Sequence, residues 1–135
     1  MADDDCRFLI TRGALLGVAN SGTEAPPGSS ATITIFDSTV APTEMKSGVP
    51  CNRVQLNIYS SHDSGASGLV FSSSFDNGLN FRTQASYTYL NANGATTYDY
   101  VMKGRHVKIA YTNSANVLTA WEMELWGVYD RNPGS

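Results

Sequence analysis

Few side chains in this 135-residue chain are of the types that do chemistry, and they fall into small groups. Ser61, His62 and Asp63 carry the residue types of a hydrolytic triad, and His106 is a second candidate base. Adjacent loop residues do not normally set a base against a nucleophile, and no nucleophile elbow occurs anywhere in the chain. A turn of hydroxyl and Asx side chains bonding their own backbone accounts for the same letters. Glu122 and Glu124 pair on one face of an extended segment, about 7 Å apart by strand rise, a separation that a glycosidase could use. Solvated or interface glutamates opposite an apolar face explain them more simply. Asp63, Asp76, Asp99 and Asp130 are isolated from one another and do not approach the dense oxygen-ligand loop that calcium needs. Cys6 and Cys51 are too few for a zinc site, and two buried free thiols are favoured over a disulfide. The glycine-bearing stretches 13–17 and 65–68 lack the lysine and following helix of a phosphate loop. The expectation is a protein that is not an enzyme, with no catalytic residues, no metal site and no cofactor.

Binding candidates are of two kinds. Trp126 falls on the face opposite Trp121 and Leu125, alongside Glu122 and Glu124, which makes an exposed aromatic and polar patch suited to a sugar or to a protein. Burial in a second layer explains Trp126 equally well, while Tyr87, Tyr89, Tyr98 and Tyr100 are expected to close the core or its ends. The second kind is the leader, whose apolar patches include Arg7, Phe8, Leu9, Ile10, Leu15 and Leu16, followed by the turn-rich stretch 20–28. Residues 8–11 and 15–18 serve either as an edge strand and loop of the domain or as an arm that packs on a neighbouring subunit.

Composition constrains the partners. The net charge is −3, and the nine basic residues form no run, so neutralisation of nucleic-acid phosphates is not expected. Charged residues make up 16% of the chain, below the roughly 25% usual in soluble domains, so the surface relies on Ser, Thr, Asn and Gly. Hydroxyls and amides lose less on desolvation than charges do, and that suits contact with subunits or sugars. The start Met1-Ala2-Asp3-Asp4-Asp5 is acidic, unlike a secretory signal, and no apolar stretch approaches the ~20 residues needed to cross a bilayer. A protein made in the cytosol with no membrane partner is expected.

The elements that must position these residues are strands. Ile33 and Ile35 alternate with threonines, and residues 53–59 alternate in the same way. Leu69, Phe71, Ser73 and Phe75 are predicted to share a face, as are Phe81, Thr83, Ala85, Tyr87 and Tyr89, with Asp76-Asn77-Gly78 turning between the two runs. Val107, Ile109 and Tyr111 point inward in a later strand, and Trp121, Met123 and Leu125 do so in the last. The connection 38–50, with Pro42 and Pro50, has the length needed to cross between sheets. The fold class is therefore all-β: a single-domain antiparallel β-sandwich, jelly-roll-like, of about seven or eight strands. Residues 1–30 form the arm or edge strand, 31–130 the sandwich and 131–135 a tail.

Residues 53–129 resemble a β-sandwich module of structural proteins in tailed bacteriophages. The resemblance rests on Ser60-Ser61-His62-Asp63-Ser64-Gly65, on Ser74-Phe75-Asp76-Asn77-Gly78-Leu79-Asn80-Phe81, and on Arg105-His106-Val107-Lys108-Ile109-Ala110-Tyr111-Thr112-Asn113. Phe81 stands where the module often has Trp, Asn77 is inserted before the glycine, and Val107 replaces a common aromatic. These residues are turn formers and core anchors, so what the resemblance implies is fold and context with no catalytic site. It implies a virion location and a capsid decoration or cement protein that bridges capsomers. The partners would be the major capsid protein and copies of itself, as in a trimer. A tail or fibre module binding a host-surface carbohydrate, or an unrelated carbohydrate-binding domain, is the alternative.

Overall fold

The computed structural model describes residues 5–13, 23–24, 27–39 and 51–130, and for 5–9, 11–13, 23–24 and 129–130 it describes the backbone alone. Nine strands run through them: β1 (Asp5–Gly13), β2 (Thr23–Glu24), β3 (Thr32–Asp37), β4 (Arg53–Ser60), β5 (Ser64–Ser74), β6 (Arg82–Tyr87), β7 (Thr96–Val101), β8 (His106–Asn113) and β9 (Trp121–Asp130). One 3-10 turn, Asn91–Asn93, interrupts the β6–β7 connection.

One sheet has the order β2-β1-β9-β4-β7 and the other β3-β8-β5-β6. Every pairing is antiparallel except the two-residue parallel bridge between β1 and β2. Without β2, the eight remaining strands form two four-stranded sheets in the order of a jelly roll. From β3 onward, only β5 and β6 among the described strands are successive within one sheet; each other connection passes between sheets, including the one from β3 to β4.

Alternation decides which face each strand buries. Val54, Leu56 and Ile58 on β4 face Leu125 and Met123 on β9, and all are at most 2% exposed. Leu69 and Phe71 on β5 meet Val107, Ile109 and Tyr111 on β8 in the opposite sheet's inner face, all fully buried. Aromatic rings join the two layers. Tyr111 on β8 meets Trp121 on β9 edge-on with centroids 5.1 Å apart, and Phe71 stacks on Tyr100 of β7 at 5.2 Å. Burial of side chains this large contributes about 1.5–3 kcal/mol each, and it is what holds the layers together.

Register departs from strict alternation at four places. Shifts lie between Leu9 and Thr11, Thr34 and Phe36, Phe71 and Ser72, and Ser64 and Leu69. The first lets β1 follow β9, and the second buries both Ile35 and Phe36. The expected shared faces fail where these shifts occur or where a strand ends. Phe75 lies beyond the end of β5 and is 64% exposed, and Phe81 precedes β6 and is half-buried. Thr83 is exposed because β6 is an edge strand that follows the Phe71/Ser72 bulge. Of the four tyrosines expected at the core or its ends, Tyr89 and Tyr100 are buried, Tyr98 is half-buried and Tyr87 is exposed. Tyr87 still packs on Tyr98, with centroids 4.9 Å apart, between the edge strands of the two sheets.

Candidate functional site

The outer face of the five-stranded sheet gathers the patch residues. Trp121, Met123 and Leu125 are buried, so Glu122, Glu124 and Trp126 must project from the other side of β9. Both glutamates are exposed and Trp126 is half-buried. The indole Nε1–H of Trp126 donates to Oε1 of Glu124 at 3.2 Å. Register places Tyr59 opposite Glu122, Asn57 opposite Glu124, and Gln55 opposite Trp126 on β4. The next strand, β7, adds Thr97 beside Asn57 and Asp99 beside Gln55. Thr97 Oγ1 donates to Asn57 Oδ1 at 2.6 Å, and Arg53 pairs with Asp99 at 3.0 Å. The face is thus a lattice of amides, hydroxyls and paired charges around one indole. It can accept and donate hydrogen bonds to a flat partner.

The histidine candidates separate. Ser61 Oγ lies 3.1 Å from His62 Nδ1, so adjacency does not prevent that contact, contrary to the sequence argument. The third member is missing from the arrangement: Asp63 Oδ1 accepts the Asn91 backbone N–H at 2.8 Å and orients no imidazole. Ser61 Oγ also accepts the Thr119 N–H at 2.8 Å, which ties the β4–β5 turn to the β8–β9 connection. His106 is 1% exposed, and its Nδ1 lies 2.9 Å from Ser38 Oγ. Ser38 Oγ accepts the Val107 N–H at 3.0 Å, which leaves its own hydrogen for the imidazole. The pair fixes the start of the β3–β4 connection and is sealed from solvent.

Among the described residues, no group of three His, Cys, Asp or Glu side chains converges as a metal site. Asp76 in the β5–β6 turn and Asp99 on β7 are separately engaged, Asp76 by Ser74 and Asn80 and Asp99 by Arg53. Cys51 carries a free, half-buried thiol whose pKa is raised by burial, against backbone hydrogen bonds at Arg53 and Val128 that lower it.

The leader residues Arg7, Phe8, Leu9 and Ile10 lie in β1, which pairs with β9 from Asp5 opposite Asp130 to Gly13 opposite Met123. Ile10 is half-buried and packs against the core. The side chains of Arg7, Phe8 and Leu9 lie outside the described residues, as do Leu15, Leu16 and the tail 131–135.

A second surface went unread in the sequence. At the end of the sandwich where β5 turns into β6, Phe75 is 64% and Leu79 83% exposed. An open cavity of about 390 Å3 lies beside them, lined by Ser74, Phe75, Asn77, Gly104 and Arg105. The turn motif Asp76-Asn77-Gly78 was visible, but nothing in the letters shows that the residues before and after it stand clear of both sheets.

No family of known proteins and no curated protein matches the sequence. The fold, by contrast, is similar to the crystal structure of the PBSX exported protein XepA, with a TM-score of 0.60 at 13% identity. The likeness covers 94% of this chain and 38% of that one, so this chain spans well under half the length of the protein it matches.

Proposed function

We propose that this chain is a structural protein of a phage-related particle and that it works by binding other proteins, without catalysis. The observation that carries the reading is the jelly-roll frame itself, shared over nearly all of this chain with a protein of the phage PBSX. Two further features support it. The outer face of β9, β4 and β7 is broad and rich in amides and hydroxyls, which desolvate at low cost against a protein surface. The Ser61, His62 and Asp63 side chains are engaged in holding turns together and do not form a relay.

In its finer form the proposal is a capsid decoration protein. It would sit on the outer surface of the shell, contact the major capsid protein and further copies of itself, and hold capsomers together through several modest interfaces acting at once. The face centred on Trp126 is the candidate contact. The test is co-sedimentation of the purified chain with expanded phage heads, beside a variant carrying Trp126→Ala and Asn57→Asp. Binding of the parent at a fixed number of copies per head, lost in the variant, is expected. Failure to bind heads, together with recovery of the chain from tails or from the soluble fraction of an infected culture, would overturn the decoration role.

A further inference from the structure

An edge strand offers a row of backbone N–H and C=O groups to any other chain, and folds blunt such edges with bulges, prolines, lysines or short length. The described strands leave four flanks: β1 beyond its two-residue partner β2, β3, β6 and β7. Three of them are blunted in the same way. An unmatched residue sits on the edge strand itself, Ile10 on β1, Ile35 on β3 and Gln84 on β6, and bends it out of a regular ladder.

β7 carries no such device. Its six residues pair one for one with β4, from Thr96 opposite Ile58 to Val101 opposite Arg53. The run Thr-Thr-Tyr-Asp-Tyr-Val holds no Gly, Pro or Lys, and all of it except Asp99 is β-branched or aromatic. Asp99, its one charge, is paired with Arg53 within the sheet. Apolar surface lies along the same flank: Val101 is 60% exposed, and Tyr87 is exposed where it packs on Tyr98.

We propose that β7 pairs antiparallel with β7 of a second copy of this chain, which joins the two five-stranded sheets across a two-fold axis. A second copy can present an unblunted edge only by presenting its own β7, so the contact is isologous and closes at two copies. Side chains directly opposite each other in an antiparallel pair lie on one face, so the axis passes through a residue and not between two. Near the middle of the strand that leaves Tyr98 or Asp99. An axis at Asp99 would set two carboxylates opposite each other, which is unfavourable. An axis at Tyr98 sets Thr97 opposite Asp99 of the second copy and Thr96 opposite its Tyr100, with no like charges facing. It also brings the Tyr87 and Tyr98 rings of both copies to the seam. The pairing is a property of the isolated chain and stands or falls apart from the virion reading.

Sedimentation equilibrium of the full chain, from micromolar to near-millimolar concentration, tests the proposal together with charge substitutions at Thr97, an exposed position. A monomer–dimer equilibrium is expected, with amide hydrogen exchange in residues 96–101 slowing as the dimer forms and exchange in β3 unchanged. Thr97→Glu places a carboxylate opposite Asp99 twice in each dimer and should weaken association about tenfold. Thr97→Lys places an ammonium there instead and should hold the dimer at least as tightly as the parent does. Both variants lose the same hydrogen bond to Asn57, so an effect on the fold alone would move them together. A monomer at every concentration, a trimer or an open-ended assembly, protection centred on another strand, or equal weakening by the two substitutions would overturn the proposal.

Discussion

Asp76 shows how much a single exposed side chain can organise. Its carboxylate accepts hydrogen bonds from the Asn80 N–H at 2.8 Å, Asn80 Nδ2 at 2.7 Å and Ser74 Oγ at 2.8 Å, and thereby closes the β5–β6 turn. Those bonds, led by the one from the Asn80 side chain, lower its pKa from 3.8 to about 2. A depressed carboxylate pKa means that the unfolded chain takes up the proton first as pH falls. The stability Asp76 contributes is therefore complete above the unfolded value near 3.8 and is lost as pH drops toward about 2. Asp76→Asn should leave the melting temperature at pH 7 below that of the parent, and the gap should narrow steadily between pH 4 and pH 2 in thermal melts. Two glycines make a second comparison at this scale. A Cβ on Gly104 would collide with the backbone oxygen of Ser74, whereas one on Gly94 meets nothing within 4 Å and is disfavoured only by a φ of +67°. Gly104→Ala should cost about 1–3 kcal/mol or more in denaturant unfolding, and Gly94→Ala only about 1 kcal/mol.

At the scale of elements, the ends of strands matter more than their middles. Tyr89 sits just past β6, fully buried, where its hydroxyl accepts the Ser60 N–H at 3.1 Å and donates to the Gly94 carbonyl at 2.8 Å. It thus pins the β6–β7 connection to the end of β4. Tyr89→Phe would leave both groups without that partner and should destabilise by about 1–3 kcal/mol, measurable by urea unfolding with unchanged cooperativity. The same distinction explains what could be read from the sequence. Alternation predicted the inward faces of β4, β8 and β9 correctly, because those strands have neighbours on both sides and their apolar residues repeat every second position. It failed for Phe75 because Ser74 ends β5: the Ser74 hydroxyl takes the Gly78 N–H at 2.7 Å, and the chain leaves the sheet one residue before the phenylalanine. It failed for Thr83 because a bulge between Phe71 and Ser72 shifts the pairing of an edge strand. The glutamates and Trp126 were legible as one face of β9, while their lattice with Asn57, Gln55 and Thr97 depends on pairings between residues far apart in sequence. The Phe75 and Arg105 cavity was illegible for the same reason, since it joins two turns about thirty residues apart.

For the whole molecule, the placement of β1 decides how any role of the leader can be tested. β9 lies between β1 and β4, with paired residues from Asp5 to Gly13 on one flank and from Arg53 to Ser60 on the other. A leader that served only as a detachable arm could be removed without harm to the sandwich. Removal of residues 1–27 here would take away a strand, strip one flank of β9 of its hydrogen-bond partners and uncover Ile10's contact with the core. A newly bared edge next to the apolar centre of a sheet invites pairing with other chains. The truncated protein is therefore expected to melt well below the parent and to elute as larger species in size-exclusion chromatography. A truncation that elutes like the parent and keeps the parent's melting temperature would show that β1 adds nothing to the sandwich and would return the leader to the role of an arm. Because the truncation is expected to damage the domain, loss of head binding in that variant would not implicate the leader. Surface substitutions at Trp126 and Asn57, which leave every strand in place, make the sharper probe of capsid contact.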